Sequence, residues 1–346
     1  MIAATSMWPA LETEPDALAR ASRGWSDFAV LTTASPWKIA RSMLAATPDR
    51  VLMVEGLDRR HLDRRAADAC NLGLVVGIGS GVVMEAAKYV AKVTGARLVQ
   101  VPSTVSNNAC FTCGAWTLVD GTRVIERGIP IPDRIILDTD LVAAAPARLN
   151  RAGLAEILCS HTALHDWQLG HAAGRDVDWD HELAQAARAE LAALVSIAPL
   201  VGAECAAGFR AIFEAGARFA PGFMSHPKAR FNAGSEHLFA WALETRARRP
   251  MLHGEAVSLG VLLLSVVQNN HPDWAADIVR AARIAYLPED IGVTWAEVED
   301  AFNGLGNFAK TFSWYTVIDH IAAGEAAAWP GATHFAKAKN FVLGLG

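Results

Sequence analysis

Cysteine is scarce in this sequence and long basic runs are missing. Five cysteines, an odd number scattered between positions 70 and 205, do not make a disulfide framework. Cys110 and Cys113 form a CxxC, but no second pair accompanies them, so they are read as buried thiols, and Cys159 as a core residue. Lys and Arg number 31 against 36 Asp and Glu, a net charge of -5, which lacks the electrostatic footprint of a nucleic-acid binder. The apolar run Ala256–Val267 falls short of the ~20 residues that cross a bilayer and reads as a buried helix, so no membrane partner is expected. The first basic residue is Arg20, and Met1–Pro9 has no charged segment followed by an apolar one, so a secretory leader is not expected and the cytoplasm is the expected location. No internal repeat is visible.

What is present supports a large folded core: of 346 residues, 52% are hydrophobic and 19% charged, which excludes a disordered chain and favours two domains. Short β-branched runs at Phe28–Thr33, Val51–Glu55, Leu74–Gly77, Leu98–Pro102 and Arg134–Asp138 alternate with helical stretches such as Trp37–Ala46 and Met84–Gly95. That alternation predicts βαβ units and an α/β domain with a mainly parallel sheet. Beyond Pro146 the pattern changes to Ala- and Leu-rich stretches of helical period, Arg151–Leu169, His181–Ile197 and Glu204–Arg218, which predict an all-helical domain. Proline disfavours helix in the residue before it and suits the first turn of a new one, so the boundary is set at Ala145-Pro146, giving domains 1–145 and 146–346. The cleft between two such domains is the default place for a ligand.

The segment from Val75 to Lys88 is a strand, a turn containing Gly77, Gly79 and Gly81, and a helix start, in that order. Glycines let a backbone approach a pyrophosphate, and free N–H groups at a helix start favour its charge; the alternative is a tight strand-to-helix connection. Glu55, at the end of the second strand, could accept the ribose hydroxyls of an adenine dinucleotide. In the helical half, Gly153-Leu154-Ala155-Glu156, Gly234-Ser235-Glu236-His237 and Leu252-His253-Gly254-Glu255 offer metal ligands. One carboxylate and two imidazoles suit a divalent ion such as zinc or iron, with nickel as a further option, and leave a position open for a substrate oxygen. Glu255, two residues after His253, reads as a helix-start or supporting carboxylate. Arg230 is a candidate for holding a phosphate or carboxylate in bidentate fashion, the alternative being a solvated surface cluster with His226, Pro227 and Lys228. His161 and His165 read as structural.

These segments resemble the superfamily that joins iron-containing alcohol dehydrogenases, glycerol dehydrogenase, glycerol-1-phosphate dehydrogenase and dehydroquinate synthase. Gly79-Ser80-Gly81-Val82-Val83-Met84-Glu85-Ala86-Ala87-Lys88 is similar to its nucleotide motif GGGSxxDxAK, with Glu85 in place of Asp. Val101-Pro102-Ser103-Thr104-Val105-Ser106-Asn107-Asn108-Ala109 is similar to the loop that meets the nicotinamide and substrate. GLAE resembles the first-ligand segment of dehydroquinate synthases, and GSEHLFAWALE and LHGEAV resemble the later ligand segments of glycerol-1-phosphate dehydrogenases, the nearest pattern. The resemblance implies a Rossmann-like parallel sheet followed by an all-α domain, the dehydroquinate synthase-like fold. It also implies NAD or NADP bound by Gly79, Ser80, Gly81, Val82, Glu85, Ser103 and Thr104, and one divalent metal held by Glu156, His237 and His253. The expected activity is a metal-dependent NAD(P)-linked dehydrogenase acting on a small alcohol or polyol phosphate, on a homodimer.

Two positions depart from the family pattern. Asn108 stands where an Asp meets the substrate, and Trp241, one turn beyond His237, stands where a second His follows in HxxxH. Both changes remove an ionisable group near the chemistry, so the pocket is expected to be less polar and the proton relay altered; the alternative for Trp241 is plain core packing. A sugar-phosphate cyclase of the dehydroquinate synthase type competes with the dehydrogenase, but Cys159 stands where that family's GLAExxK has its lysine. A catalytically silent nucleotide-binding homologue is the third reading.

Overall fold

A computed structural model describes residues 10–345 apart from 177, 227 and 325–327. Met1–Pro9, on which the leader reading rests, and Pro227 of the basic segment lie outside the described residues. The chain divides into two compact units, Met1–Asn150 and Arg151–Gly346. The division falls five residues later than the sequence reading set it, and the side chain of Asn150 gives the reason. Its Nδ2 donates to the Val142 carbonyl at 2.9 Å and its Oδ1 accepts the Val105 N–H at 3.0 Å, so the residue is bonded into the first unit.

In the first unit, β1 (Ala10–Glu12), β2 (Phe28–Thr32), β3 (Arg50–Met53), β4 (Leu74–Gly79), β5 (Arg97–Pro102) and β8 (Arg134–Ile136) form one sheet in the order β1-β8-β5-β4-β2-β3. Every pairing in it is parallel. The central strands β2 and β4 are buried at every position, as expected when helices cover both faces. The chain runs outward from β2 to β3, then returns to the other side of β2 for β4 and β5. This makes the carboxyl ends of β2 and β4 a topological switch point, where doubly wound sheets bind ligands. Two elements went unread in the sequence: the three-residue edge strand β1, and an antiparallel hairpin of β6 (Ala115–Val119) and β7 (Thr122–Glu126). Cys113, just before that hairpin, is exposed, which corrects the expectation that both thiols of the CxxC are buried; Cys110 is buried.

Among the described residues, helices are the only regular secondary structure of the second unit. The expected helix over Arg151–Leu169 is broken into Ala147–Ala152, Ala155–Leu158 and Ser160–Ala172. Gly153 has poor helix propensity, and the next turn closes through three-residue hydrogen bonds, Glu156 N–H to Gly153 and Ile157 N–H to Leu154. The core element is His253–Gln268, buried at every position except His253 and Val267 and apolar almost all round, as a helix must be when other helices surround it. Helix His181–Gly202 is long and apolar enough to cross a membrane by length and composition; its Ala184, Ala187, Leu191, Leu194, Ala198 and Val201 are buried at helical spacing.

One buried carboxylate ties three of these helices together. Asp166, in Ser160–Ala172, accepts the Ser235 N–H at 2.6 Å and the Val317 N–H at 2.7 Å, at the starts of Ser235–Ala247 and Val317–Gly324. Burial pushes its pKa up to about 6, against the opposing pull of Arg230. A carboxyl whose folded pKa lies above its ordinary 3.8 supports the fold most fully below that ordinary value and loses the contribution as pH rises through about 6. Urea unfolding with chelator present should therefore show Asp166→Asn gaining stability relative to the parent between about pH 4 and 6, with a constant difference above pH 7. Parallel stability curves across that window would contradict the assignment.

Candidate metal centre

Three helix starts supply the candidate ligand set. Glu156 lies in the first turn of Ala155–Leu158, His237 in the first turn of Ser235–Ala247, and His253 opens His253–Gln268. One ligand atom from each lies within 4.8 Å of the others, and His253 Nε2 is 3.9 Å from Glu156 Oε1. The side chains of His237 and Glu156 are 6% and 9% exposed and that of His253 is 32% exposed, so the cluster opens to solvent at His253.

Close backbone approach sets this spacing. A Cβ on Gly260 would come within 2.7 Å of the Glu236 carbonyl oxygen, so the lack of one lets His253–Gln268 lie directly against the helix that carries His237. A Cβ on Gly254 would collide with the Ala152 carbonyl, which fixes the start of the same helix beside the segment leading to Glu156.

Each imidazole is held by a carboxylate. His237 Nδ1 donates to Glu236 Oε1 at 2.8 Å, and His253 Nδ1 donates to Glu244 Oε1 at 2.7 Å. With the hydrogen committed at Nδ1, each ring presents a bare Nε2 lone pair, the tautomer a metal requires. Glu236 is itself anchored, accepting the Gly234 N–H and the Thr162 hydroxyl, both at 2.7 Å. The sequence reading named neither Glu236 nor Glu244 as a functional residue. The available signal was spacing, since Glu244 lies seven residues after His237 and hence on the same helix face.

Among the described residues a second trio, Cys159, Glu236 and His237, also lies within 4.8 Å. Its chemistry is unsuitable. The Cys159 thiol donates to the Asn232 carbonyl at 3.0 Å, and burial, with Glu236 and Glu156 adding to it, pushes its pKa well up, so it stays protonated. The Glu236 carboxylate already serves three donors. One carboxylate and two braced imidazoles are the better donor set for a divalent ion, and leave open coordination positions.

Trp241 lies beside this cluster, its ring 5.4 Å from that of His237 and stacked on Phe312 at 5.2 Å. Arg230 takes no part, which corrects its expected role in holding an anion. It is 1% exposed, its Nε donates to Asp176 at 2.7 Å, and its other nitrogens donate to the carbonyls of Ala233 and Tyr315. A guanidinium engaged on all three nitrogens has no fork left for a phosphate. His161, bonded to the Asn270 carbonyl at 2.7 Å, is structural as expected, and burial lowers its pKa.

In the first unit, β4 runs through Ser80 into the helix Gly81–Thr94, whose start has no side-chain cap. The N–H groups of Val83 and Met84 both turn back to the Ser80 carbonyl, and Val82 is exposed beside them. A Cβ on Gly81 would strike the Asn107 side chain, so this glycine lets the loop carrying Ser103 and Thr104 close against the helix start. Ser103 N–H donates to the Gly79 carbonyl at 2.8 Å, and the Thr104 hydroxyl is 2.9 Å from that of Ser106. Glu85, expected at the nucleotide, instead turns into the unit, where it pairs with buried Lys88 at 2.9 Å and accepts the Trp116 N–H at 3.0 Å. Lys88 Nζ also reaches the carbonyls of Ala109 and Gly114 and the Thr112 hydroxyl, so the pair anchors the loop rather than a ligand. Asn108 is buried, its carbonyl accepting the Phe111 N–H at 2.9 Å. Glu55 stands exposed beyond the carboxyl end of edge strand β3.

A family model described as iron-containing alcohol dehydrogenase matches residues 38–146. Glycerol-1-phosphate dehydrogenase [NAD(P)+] of Methanothermobacter thermautotrophicus is 30% identical over 264 residues, 74% of this chain and 73% of that protein. The chain belongs to the iron-containing alcohol dehydrogenase family. The enzyme of the same name from Aeropyrum pernix is 28% identical over 68% of this chain and 67% of its own length. Glycerol dehydrogenase of Schizosaccharomyces pombe superposes with a TM-score of 0.71 at 18% identity, covering 97% of this chain and 90% of that one. Sulfoacetaldehyde reductase of Bifidobacterium kashiwanohense, solved in complex with NAD+, gives a TM-score of 0.67 at 13% identity, covering 97% of both chains. These two superpositions establish the family fold.

The braces give a test that removes no ligand. Glu244→Gln should weaken divalent metal binding by roughly 10- to 100-fold, read by competition with a chromogenic chelator, because the His253 imidazole loses its anionic partner. Unchanged affinity would show that the pairing does not serve a metal.

Proposed function

We propose that this chain is a metal-dependent, NAD(P)-linked oxidoreductase that interconverts a small alcohol or polyol phosphate and its carbonyl compound. The observation that carries the proposal is the convergence of Glu156 with two imidazoles whose Nδ1 positions are both committed to carboxylates. A divalent ion held there, zinc or iron(II) by its donor set, would supply Lewis acidity toward the substrate oxygen, while the nicotinamide would take up or deliver hydride.

The chain's own residues do the rest. Glu236 and Glu244 hold both imidazoles in one orientation, so little reorganisation is needed when ligand and substrate arrive. The uncapped start of Gly81–Thr94, at the carboxyl end of β4, offers N–H groups and the positive end of a helix dipole to a pyrophosphate. Ser103 and Thr104 sit on the loop bonded to that turn, and Glu55, exposed beyond the carboxyl end of β3, is the candidate to accept the ribose hydroxyls of NAD. Five cysteines without a disulfide among them suit a reducing cytoplasm.

The sequence of named relatives favours dehydrogenation over cyclisation, and Cys159 adds a chemical argument. A buried, protonated thiol cannot supply the ammonium charge that a lysine would bring to that position.

Metal-loaded protein should reduce NAD+ or NADP+ with alcohols, lose the activity on chelation, and regain it on metal return. Net substrate conversion with no reduced nicotinamide would point to a cyclase, and nucleotide binding without turnover of any alcohol or carbonyl compound to a silent homologue. Gly81→Val, which drives a side chain into Asn107, should lower NAD(H) affinity by at least about tenfold in calorimetry while bound metal is retained. Full affinity in that variant would remove the turn from the cofactor site.

A further inference from the structure

Beside the ligand cluster lies a group of aromatic rings larger than the packing of one helix requires. Trp241 stacks on Phe312 with ring centroids 5.2 Å apart and planes 19° apart, and meets Trp314 at 5.7 Å. Phe312 in turn meets Trp314 at 5.4 Å and Phe308 at 5.6 Å. None of the four is fully buried, so the cluster keeps aromatic surface open while its Trp241 end lies 5.4 Å from the ring of His237.

The segment that carries two of these rings is bonded along its length. Lys228 Nζ donates to the Ser313 carbonyl at 3.1 Å, Arg230 to the Tyr315 carbonyl at 2.9 Å, Tyr315 N–H to Asp176 at 3.2 Å, and Val317 N–H to Asp166 at 2.7 Å. The Arg230 guanidinium also lies over the Trp314 ring, 5.0 Å from its centroid. The buried pair Arg230–Asp176 thus acts on the wall, fixing the backbone from which Phe312 and Trp314 project. Polar side chains hold the rings in place, and the Arg230 guanidinium is one of these ties rather than an anion site.

We infer that Trp241, backed by Phe312 and Trp314, is a specificity wall, selecting alcohols and aldehydes that carry a flat or branched apolar group on the reacting carbon. The inference rests on the oxidoreductase reading and narrows its substrate class. A phenyl or isopropyl group placed beside His237 would cover aromatic surface already fixed in position, with stacking available to the phenyl. A second hydroxyl in the same place would leave water and find ring carbon instead of a partner. The discrimination comes from loss as much as gain, since a pocket rejects a polar group by failing to pair it.

The test separates binding from turnover. Benzamide and acetamide resemble aldehydes but do not readily accept hydride, so their affinities for the metal-loaded protein with NADH, measured by calorimetry, report the wall alone. Benzamide should bind at least tenfold tighter than acetamide, Trp241→Ala should remove most of that preference, and Trp241→Phe should keep much of it. Phe312→Leu, which leaves Trp241 in place, should lower the preference severalfold, and it serves if Trp241→Ala does not fold. In turnover, benzyl alcohol should exceed glycerol in kcat/KM by at least tenfold, with the Trp241→Ala loss falling mainly on KM. Equal binding of the two amides, or a preference untouched by both Trp241→Ala and Phe312→Leu, would overturn the inference. A preserved amide preference with no oxidation of any alcohol would instead overturn the oxidoreductase reading and leave the wall standing.

Discussion

The pairing of two convergent imidazoles, His237 and His253, with glutamates is the constraint on which the helical unit depends. Glu236, His237 and Glu244 share one helix, so a single element supplies one candidate ligand, the brace of that imidazole, and the brace of the other histidine. An imidazole left to rotate would present either nitrogen; the carboxylates remove that freedom before any ion arrives. The remainder of the unit brings the partner elements within reach. Gly260 and Gly254 permit backbone contacts that no side chain could fit, and Asp166 fixes the start of the ligand helix from behind. Burying that carboxylate has a cost, visible in a pKa raised to about 6, which its two backbone N–H bonds reduce but do not cancel.

The first unit follows a different logic. Its parallel sheet owes its stability to strands buried on both faces, and its turn owes its shape to packing. Neither Gly79 nor Gly81 adopts a positive φ; what they provide is room, for Val83 at one position and Asn107 at the other. The Glu85–Lys88 pair, buried behind the turn, holds the loop from Ala109 to Gly114 and leaves the helix start clear of acidic charge.

Much of this was legible in the sequence. The βαβ alternation and the change of period after Pro146 foretold both units, and the three segments whose Glu156, His237 and His253 converge in the structure stood out by their Gly with Glu or His. What escaped has identifiable physical causes. The β1 edge strand is three residues long, too short for any periodicity, and its partner β8 lies more than a hundred positions away. The hairpin did carry a signal, Asp120-Gly121 between alternating runs, with both residues at positive φ, but it interrupts a βαβ pattern and was passed over. Arg230 and Glu85 were misplaced for a shared reason. A sequence shows charge and neighbours but not the direction of a side chain, and both groups turn inward to buried partners.

The central claim is that a divalent metal is bound by Glu156, His237 and His253 rather than by the adjacent Cys159 trio. X-ray absorption at the edge of the metal that co-purifies with the protein tests it most directly. The account predicts a first shell of nitrogen and oxygen only, with two imidazole signatures at about 2.0–2.1 Å if the ion is zinc. A sulfur scatterer at about 2.3 Å, or the absence of any imidazole contribution, would contradict it.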